Sequence, residues 1–86
     1  MEQQAGRDSK RGGYVSEVRA EMVANVWKVV ATEGDAVADG DTLVILESMK
    51  MEIPVVTEVP GVVRELYVEP GSTVNEGDSI ALIDEN

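Results

Sequence analysis

The chain has 86 residues, no His, no Cys, and a formal charge of −10 from 17 acidic and 7 basic side chains. Without His or Cys there are no disulfides, no usual zinc sites and no Ser-His-Asp or Cys-His catalysis. Nucleic acid and anionic lipid would repel the charge, and no apolar run approaches the roughly 20 residues of a membrane span, so the expectation is one small, soluble, cytoplasmic, non-catalytic domain.

Residues 1–16 are polar, hold three glycines and show no apolar period. They are expected to be a disordered N-terminal tail, with 17–86 as the folded domain. Residues 1–17 sum to zero charge, so Val18 to Asn86 carries the whole −10, with only Arg19, Lys28, Lys50 and Arg64 basic. From Glu17 onward there are fourteen Val and no Phe. Val suits half-buried pleated strands because its branched Cβ stiffens the side chain.

The first strands are predicted near Val18–Val23, Val26–Thr32 and Thr42–Glu47, with a few extended residues around Val37. Between the second and third lies Gly34-Asp-Ala-Val-Ala-Asp-Gly-Asp41. Its glycines can take positive φ for a chain reversal, and Val37 is the natural inward anchor. Thr42–Ile53 contains good helix formers and could be read as a helix alone. Pro54 disfavours α geometry at Ile53, and Leu43–Leu46 matches a later strand, so a β-hairpin is expected.

Beyond that hairpin the chain repeats itself. Shifted by 37 residues, Glu17–Glu47 overlies Pro54–Asp84 with seven identities: Val18/Val55, Glu21/Glu58, Val26/Val63, Gly34/Gly71, Val37/Val74, Gly40/Gly77 and Asp41/Asp78. The glycine loop recurs as Gly71-Ser-Thr-Val-Asn-Glu-Gly-Asp78. Strands are predicted near Val55–Val59, Val62–Glu69 and Ser79–Asp84, with extended residues at Val74. Pro60-Gly61 marks the turn of the second copy, and Ala24-Asn25 takes its place in the first. The expected fold is all-β: a flattened barrel-sandwich of two small antiparallel sheets with a pseudo-two-fold internal repeat.

Ser48-Met49-Lys50-Met51-Glu52-Ile53 belongs to neither copy. It should project as a tight hairpin with Lys50 near the tip. An exposed lysine between two methionines suits acylation: the amine can attack an activated acyl group, and Met adapts its shape to a partner. The bland alternative, a solvated lysine beside two core methionines, fits the pattern equally well. The acidic residues Glu33, Asp35, Asp39, Asp41, Glu69, Glu76 and Asp78 read as a solubilising shell; Asp39-Gly-Asp41 lacks the longer ligand pattern of a calcium loop, so no metal site is expected. Trp27 and Tyr67 read as framework packing.

Glu47-Ser48-Met49-Lys50-Met51-Glu52 resembles the attachment motif of biotinyl domains, whose core is Ala-Met-Lys-Met or a near variant. Biotinyl and lipoyl domains share the plan of two quasi-repeated halves with the modified lysine between them. The resemblance covers Glu17 to the end and is nearest to small stand-alone biotin/lipoyl attachment proteins and biotin carboxyl carrier domains. It departs from the common pattern at Ser48, where Ala is usual, and at Ala24, where Gly often stands in both copies. The protruding "thumb" of the bacterial acetyl-CoA carboxylase carrier subunit is absent.

The resemblance implies a barrel-sandwich hybrid and a non-catalytic carrier with covalent biotin on Lys50. A biotin protein ligase would activate biotin as an acyl adenylate, which the Lys50 amine attacks. The arm would then shuttle carboxyl groups from a biotin carboxylase to a carboxyltransferase. Met49 and Met51 would be read by the ligase and help seat the cofactor; Glu47, Ser48 and Glu52 are the recognition candidates, with a merely solvated face the equal alternative for Glu47 and Glu52. A monomer is expected, with no nucleic-acid or membrane partner. Two alternatives stay open: a lipoyl carrier of a 2-oxo acid dehydrogenase-type system, and an unmodified β-sandwich interaction module. Met on both sides of the lysine favours biotin, since lipoyl motifs usually place Asp before it.

Overall fold

The computed structural model describes residues 14–85. Among them are eight strands: β1 Val15–Arg19, β2 Ala24–Val29, β3 Ala36–Val37, β4 Thr42–Ser48, β5 Met51–Val56, β6 Gly61–Leu66, β7 Thr73–Val74 and β8 Ser79–Glu85. They form two four-stranded sheets, ordered β1-β8-β6-β3 (sheet A) and β5-β4-β2-β7 (sheet B), with every pairing antiparallel. The hairpin expected over Thr42–Ile53 is β4 and β5, with no helix in the described residues.

Pairings recur at the spacing of the sequence repeat. Val18 opposite Ala81 matches Val55 opposite Val44; Val26 opposite Leu46 matches Val63 opposite Ile83. Even the bulges repeat: the register slips past Trp27 in β2 and past Arg64 in β6. Each sheet takes its two inner strands from one copy and its two edges from the other. Neither half therefore holds a complete sheet of its own.

The glycine loops make the reversals. Gly34, Gly40, Gly71 and Gly77 all have φ of 91–92°, a region that costs an L-residue roughly 1–2 kcal/mol. The Asp after each second glycine closes the turn: Asp41 Oδ2 accepts from the Ala38 amide at 2.9 Å and Asp78 Oδ2 from the Asn75 amide at 2.8 Å. Val37 and Val74 are buried as anchors. This accounts for the repeated Gly-Asp pairs as turn chemistry. Among the described residues no three His, Cys, Asp or Glu side chains converge as metal ligands.

The core lies between the sheets and consists of aliphatic side chains, led by Leu43, Val44, Leu46, Val26, Val63, Ile80 and Ile83. Removing each large side chain from water contributes about 1.5–3 kcal/mol. The alternation that produces this is plain in β2, where Ala24 and Val26 face inward, and the bulge then turns both Trp27 and Lys28 to solvent. Edge exposure is limited: β3 and β7 have two residues each, and Pro54 sits on edge strand β5, where a missing N–H is tolerated.

Four sequence expectations need correction. First, β1 begins at Val15, so Val15 and Ser16, assigned to the tail, are paired with Asp84 and Ile83; residues 1–13 lie outside the described residues. The structural repeat runs further than the sequence repeat, because Val15 and Ser16 match Glu52 and Ile53 in backbone position but not in side-chain class. Second, Ala24-Asn25 and Gly61 are strand residues, and the chain turns earlier, at Glu21-Met22 and Glu58-Val59. Third, Gly61 is required by close approach, not by a turn: a Cβ there would lie 2.0 Å from the Asp84 carbonyl oxygen. Its counterpart Ala24 has no partner on β4, because the β2–β4 ladder begins one residue later, with Asn25 opposite Glu47. Fourth, Trp27 and Tyr67 are 50% and 49% exposed and lie outside the core.

Candidate functional site

The β4–β5 hairpin closes with Ser48 opposite Met51, leaving Met49 and Lys50 as a two-residue loop. Both have positive φ, 54° and 66°. Positive φ at both central residues is the type I′ turn, whose twist matches the flanking strands. Asn-Gly is the sequence that fits such a turn without strain. Here two long L-side chains occupy it, and backbone strain of this kind concentrates at functional sites.

The turn fixes what is displayed. Lys50 is exposed at the tip, and no carboxylate among the described residues lies within ion-pair distance of its ammonium. Met49 is 87% exposed and Met51 58% exposed. The bland alternative of core methionines is thereby excluded: an apolar, adaptable collar surrounds the amine in water. Below the tip the hairpin is firmly rooted. Leu43, Val44 and Leu46 of β4 are fully buried, and Ile53 of β5 packs against the core. The arrangement is a nucleophilic amine on a four-carbon stem, held clear of the surface by a rigid two-stranded support.

Glu47 and Glu52 stand directly opposite one another beneath the turn, both exposed. Like charges in cross-strand register are unfavourable by some tenths of a kcal/mol, so the pair does not serve the hairpin's own stability. Ser48 is partly buried at the closing pair, where a small residue lets the strands meet. A shallow depression beside the hairpin is lined by Val23, Ala24, Asn25, Glu47, Ser48, Met49, Lys50 and Thr73. The larger groove between the edges of β1 and β5 does not reach Met49 or Lys50. The six residues singled out in the sequence thus form one continuous hairpin end. Exposure of Trp27 escaped the sequence reading; the available signal was its alignment with Arg64 in the other copy, a charged residue that would not be buried.

Comparison with known proteins agrees with this geometry. The family described as "Biotin-requiring enzyme", the biotin/lipoyl family, matches residues 14–83. The chain is 54% identical over 67 residues to the "Biotinylated protein TB7.3 homolog" of Mycobacterium leprae, covering 78% of this chain and 94% of that one. It is 48% identical over 61 residues to the "Biotin/lipoyl attachment protein" of Bacillus subtilis, covering 71% and 84%. Among solved structures, the urea carboxylase of Kluyveromyces lactis superposes with a TM-score of 0.78 at 30% identity, over 96% of this chain and 7% of that chain. With most of its length matched, a duplicated all-β fold and a lysine displayed at the seam between the copies, this chain belongs to the biotin/lipoyl domain family.

Proposed function

We propose that this protein is a biotin carboxyl carrier, acylated on Lys50 and working with a biotin-dependent carboxylase. One observation carries the reading: Lys50 sits exposed at the tip of a strained two-residue turn, between two exposed methionines. The amine fits covalent attachment, because an amide bond needs only an accessible primary amine and an enzyme able to activate the acyl group. In the loading step the neutral Lys50 Nζ attacks the activated acyl carbon, the leaving group departs, and the displaced proton passes to a base or to water. Bound in this way, biotin supplies a ureido nitrogen that accepts and releases a carboxyl group.

The chain's own residues do the rest by position. The rigid β4–β5 support lets the tip enter a catalytic cleft while the domain body stays outside. Met49 and Met51 give each enzyme an apolar collar that adapts to its cleft, and Glu47, Ser48 and Glu52 serve recognition. Tethering the reactive group to a mobile carrier raises its local concentration at successive sites. The partners in this reading are a biotin protein ligase, a biotin carboxylase and a carboxyltransferase. The carrier is a cytoplasmic monomer and catalyses neither half-reaction.

The test is co-expression with a biotin protein ligase, followed by intact mass, peptide mapping and streptavidin capture. One biotinyl adduct on Lys50, absent from Lys50→Arg, is expected. An adduct on another residue, no adduct, or a lipoyl adduct formed in its place with a lipoyl ligase would overturn the reading.

A further inference from the structure

The internal repeat gives each outward residue of one sheet a counterpart on the other, and the comparison exposes an asymmetry. On sheet A the outer face pairs both of its arginines with acids of its own, although Val15 and Val62 are exposed there too. Arg19 binds Glu17 at 2.7 Å, and Arg64 lies 3.4 Å from Asp84; these are the ion pairs among the described residues. The Tyr67 hydroxyl adds a hydrogen bond to Glu65 at 2.6 Å. The repeat places Val56, Pro54, Trp27 and Glu47 of sheet B at the positions of Arg19, Glu17, Arg64 and Asp84. Among the described residues, sheet B therefore carries no such ion pairs on its solvent face. It shows Trp27, Pro54 and Val56 exposed, with Ile45 half-buried between Lys28 and Pro54. The same face ends, toward the hairpin, in the carboxylates of Glu47 and Glu52, which make no ion pair among the described residues.

We propose that the outer face of sheet B is a docking surface for the enzyme that acylates Lys50. That partner would present an apolar recess for the Trp27 indole and a basic rim opposite Glu47 and Glu52. The inference rests on the carrier reading above and adds a second contact to it, on the strands that carry the modified amine. Charge favours a partner with a basic rim over a second copy. A second copy would bring another −10 chain and its own Glu47 and Glu52 against the same face, whereas a basic rim meets both carboxylates favourably. A half-exposed Trp on the same sheet face as two exposed acids is also the composition of a protein contact, with a large apolar anchor and a polar edge. Contact along sheet B would fix how the domain approaches, so that Lys28 and the other basic residues stay out of the cleft and Lys50 enters it.

The test transplants sheet A's residues onto sheet B in the full chain. Trp27→Arg and Val56→Arg place on sheet B the side chains that the same strand positions already carry on sheet A. Biotin transfer to Lys50 is followed with a biotin protein ligase at saturating biotin and ATP. The double variant is expected to lose at least tenfold in kcat/KM for the carrier, mainly through KM. The reciprocal changes Arg64→Trp and Arg19→Val are expected to stay within twofold of wild type. In parallel, 5-fluorotryptophan in a Lys50→Arg chain labels position 27, the one Trp of the sequence, and its fluorine resonance is expected to shift saturably as ligase is added. Sheet B variants that match wild type, sheet A variants that lose as much, or a fluorine signal indifferent to ligase would each overturn the docking face. If the wild-type chain is biotinylated on Lys50, such a result leaves the carrier reading intact; a wild-type chain that takes no biotin overturns both.

Discussion

Replacing Met49-Lys50 by Asn-Gly should make the protein more stable while destroying its modifiable amine. Both residues sit at positive φ, 54° and 66°, where an L-residue gives up roughly 1–2 kcal/mol. Glycine at position 50 removes that term but returns part of it, about 0.5–1 kcal/mol, as extra chain entropy in the unfolded state. Asn at position 49 recovers a further fraction, since its short polar side chain tolerates the left-handed region. The net gain is about 1–2 kcal/mol for the pair, which in a domain of this size raises Tm by about 4–16 °C. Thermal and urea unfolding followed by circular dichroism measure it, with Met49→Asn alone as the step that keeps Lys50. An unchanged or lower Tm in the double variant would show that the turn is not strained, and the reasoning from φ to function would fail.

Thr57 is fully buried, donates its hydroxyl to the Val59 carbonyl at 2.7 Å and accepts from the Val59 amide at 3.2 Å. Thr57→Val, which leaves both Val59 groups without that partner, should cost about 1–3 kcal/mol in urea unfolding; a neutral result would mean water replaces the hydroxyl. Gly61→Ala must displace the Asp84 carbonyl that lies 2.0 Å from the added carbon, so it should lose more stability than Gly34→Ala, whose added carbon meets nothing within 4 Å and whose cost is the roughly 1–2 kcal/mol of its φ alone. The reverse order would contradict the close approach. The Arg19 guanidinium bonded to Glu17 holds that carboxyl below its ordinary value near 4.5. Its stabilisation is therefore complete above that value and is lost as pH falls through the lower, folded-state value. Tm measured from pH 6 downward should fall less steeply in Glu17→Gln than in wild type, and identical slopes would remove Glu17 from the acid limb.

The duplication, the glycine-bounded loops and the central lysine were legible along the chain because each is a local signal. Gly34, Gly40, Gly71 and Gly77 are needed by the backbone at their own positions, the following Asp closes the turn it belongs to, and Pro54 bars a helix over the hairpin. The candidate site was equally legible, since a two-residue turn brings Glu47 through Glu52 together without help from the rest of the fold. Three features were settled only in three dimensions. The copies exchange edge strands, so that β1 extends two residues into the expected tail to pair with β8. Gly61 is a glycine because β8 crosses it, a contact between residues 23 apart in sequence. Trp27 faces solvent because a bulge, created by pairing with β4, turns two successive side chains outward. Each depends on which strand lies alongside, and strand neighbours are chosen by the packing of the whole sandwich rather than by the residues within any one strand.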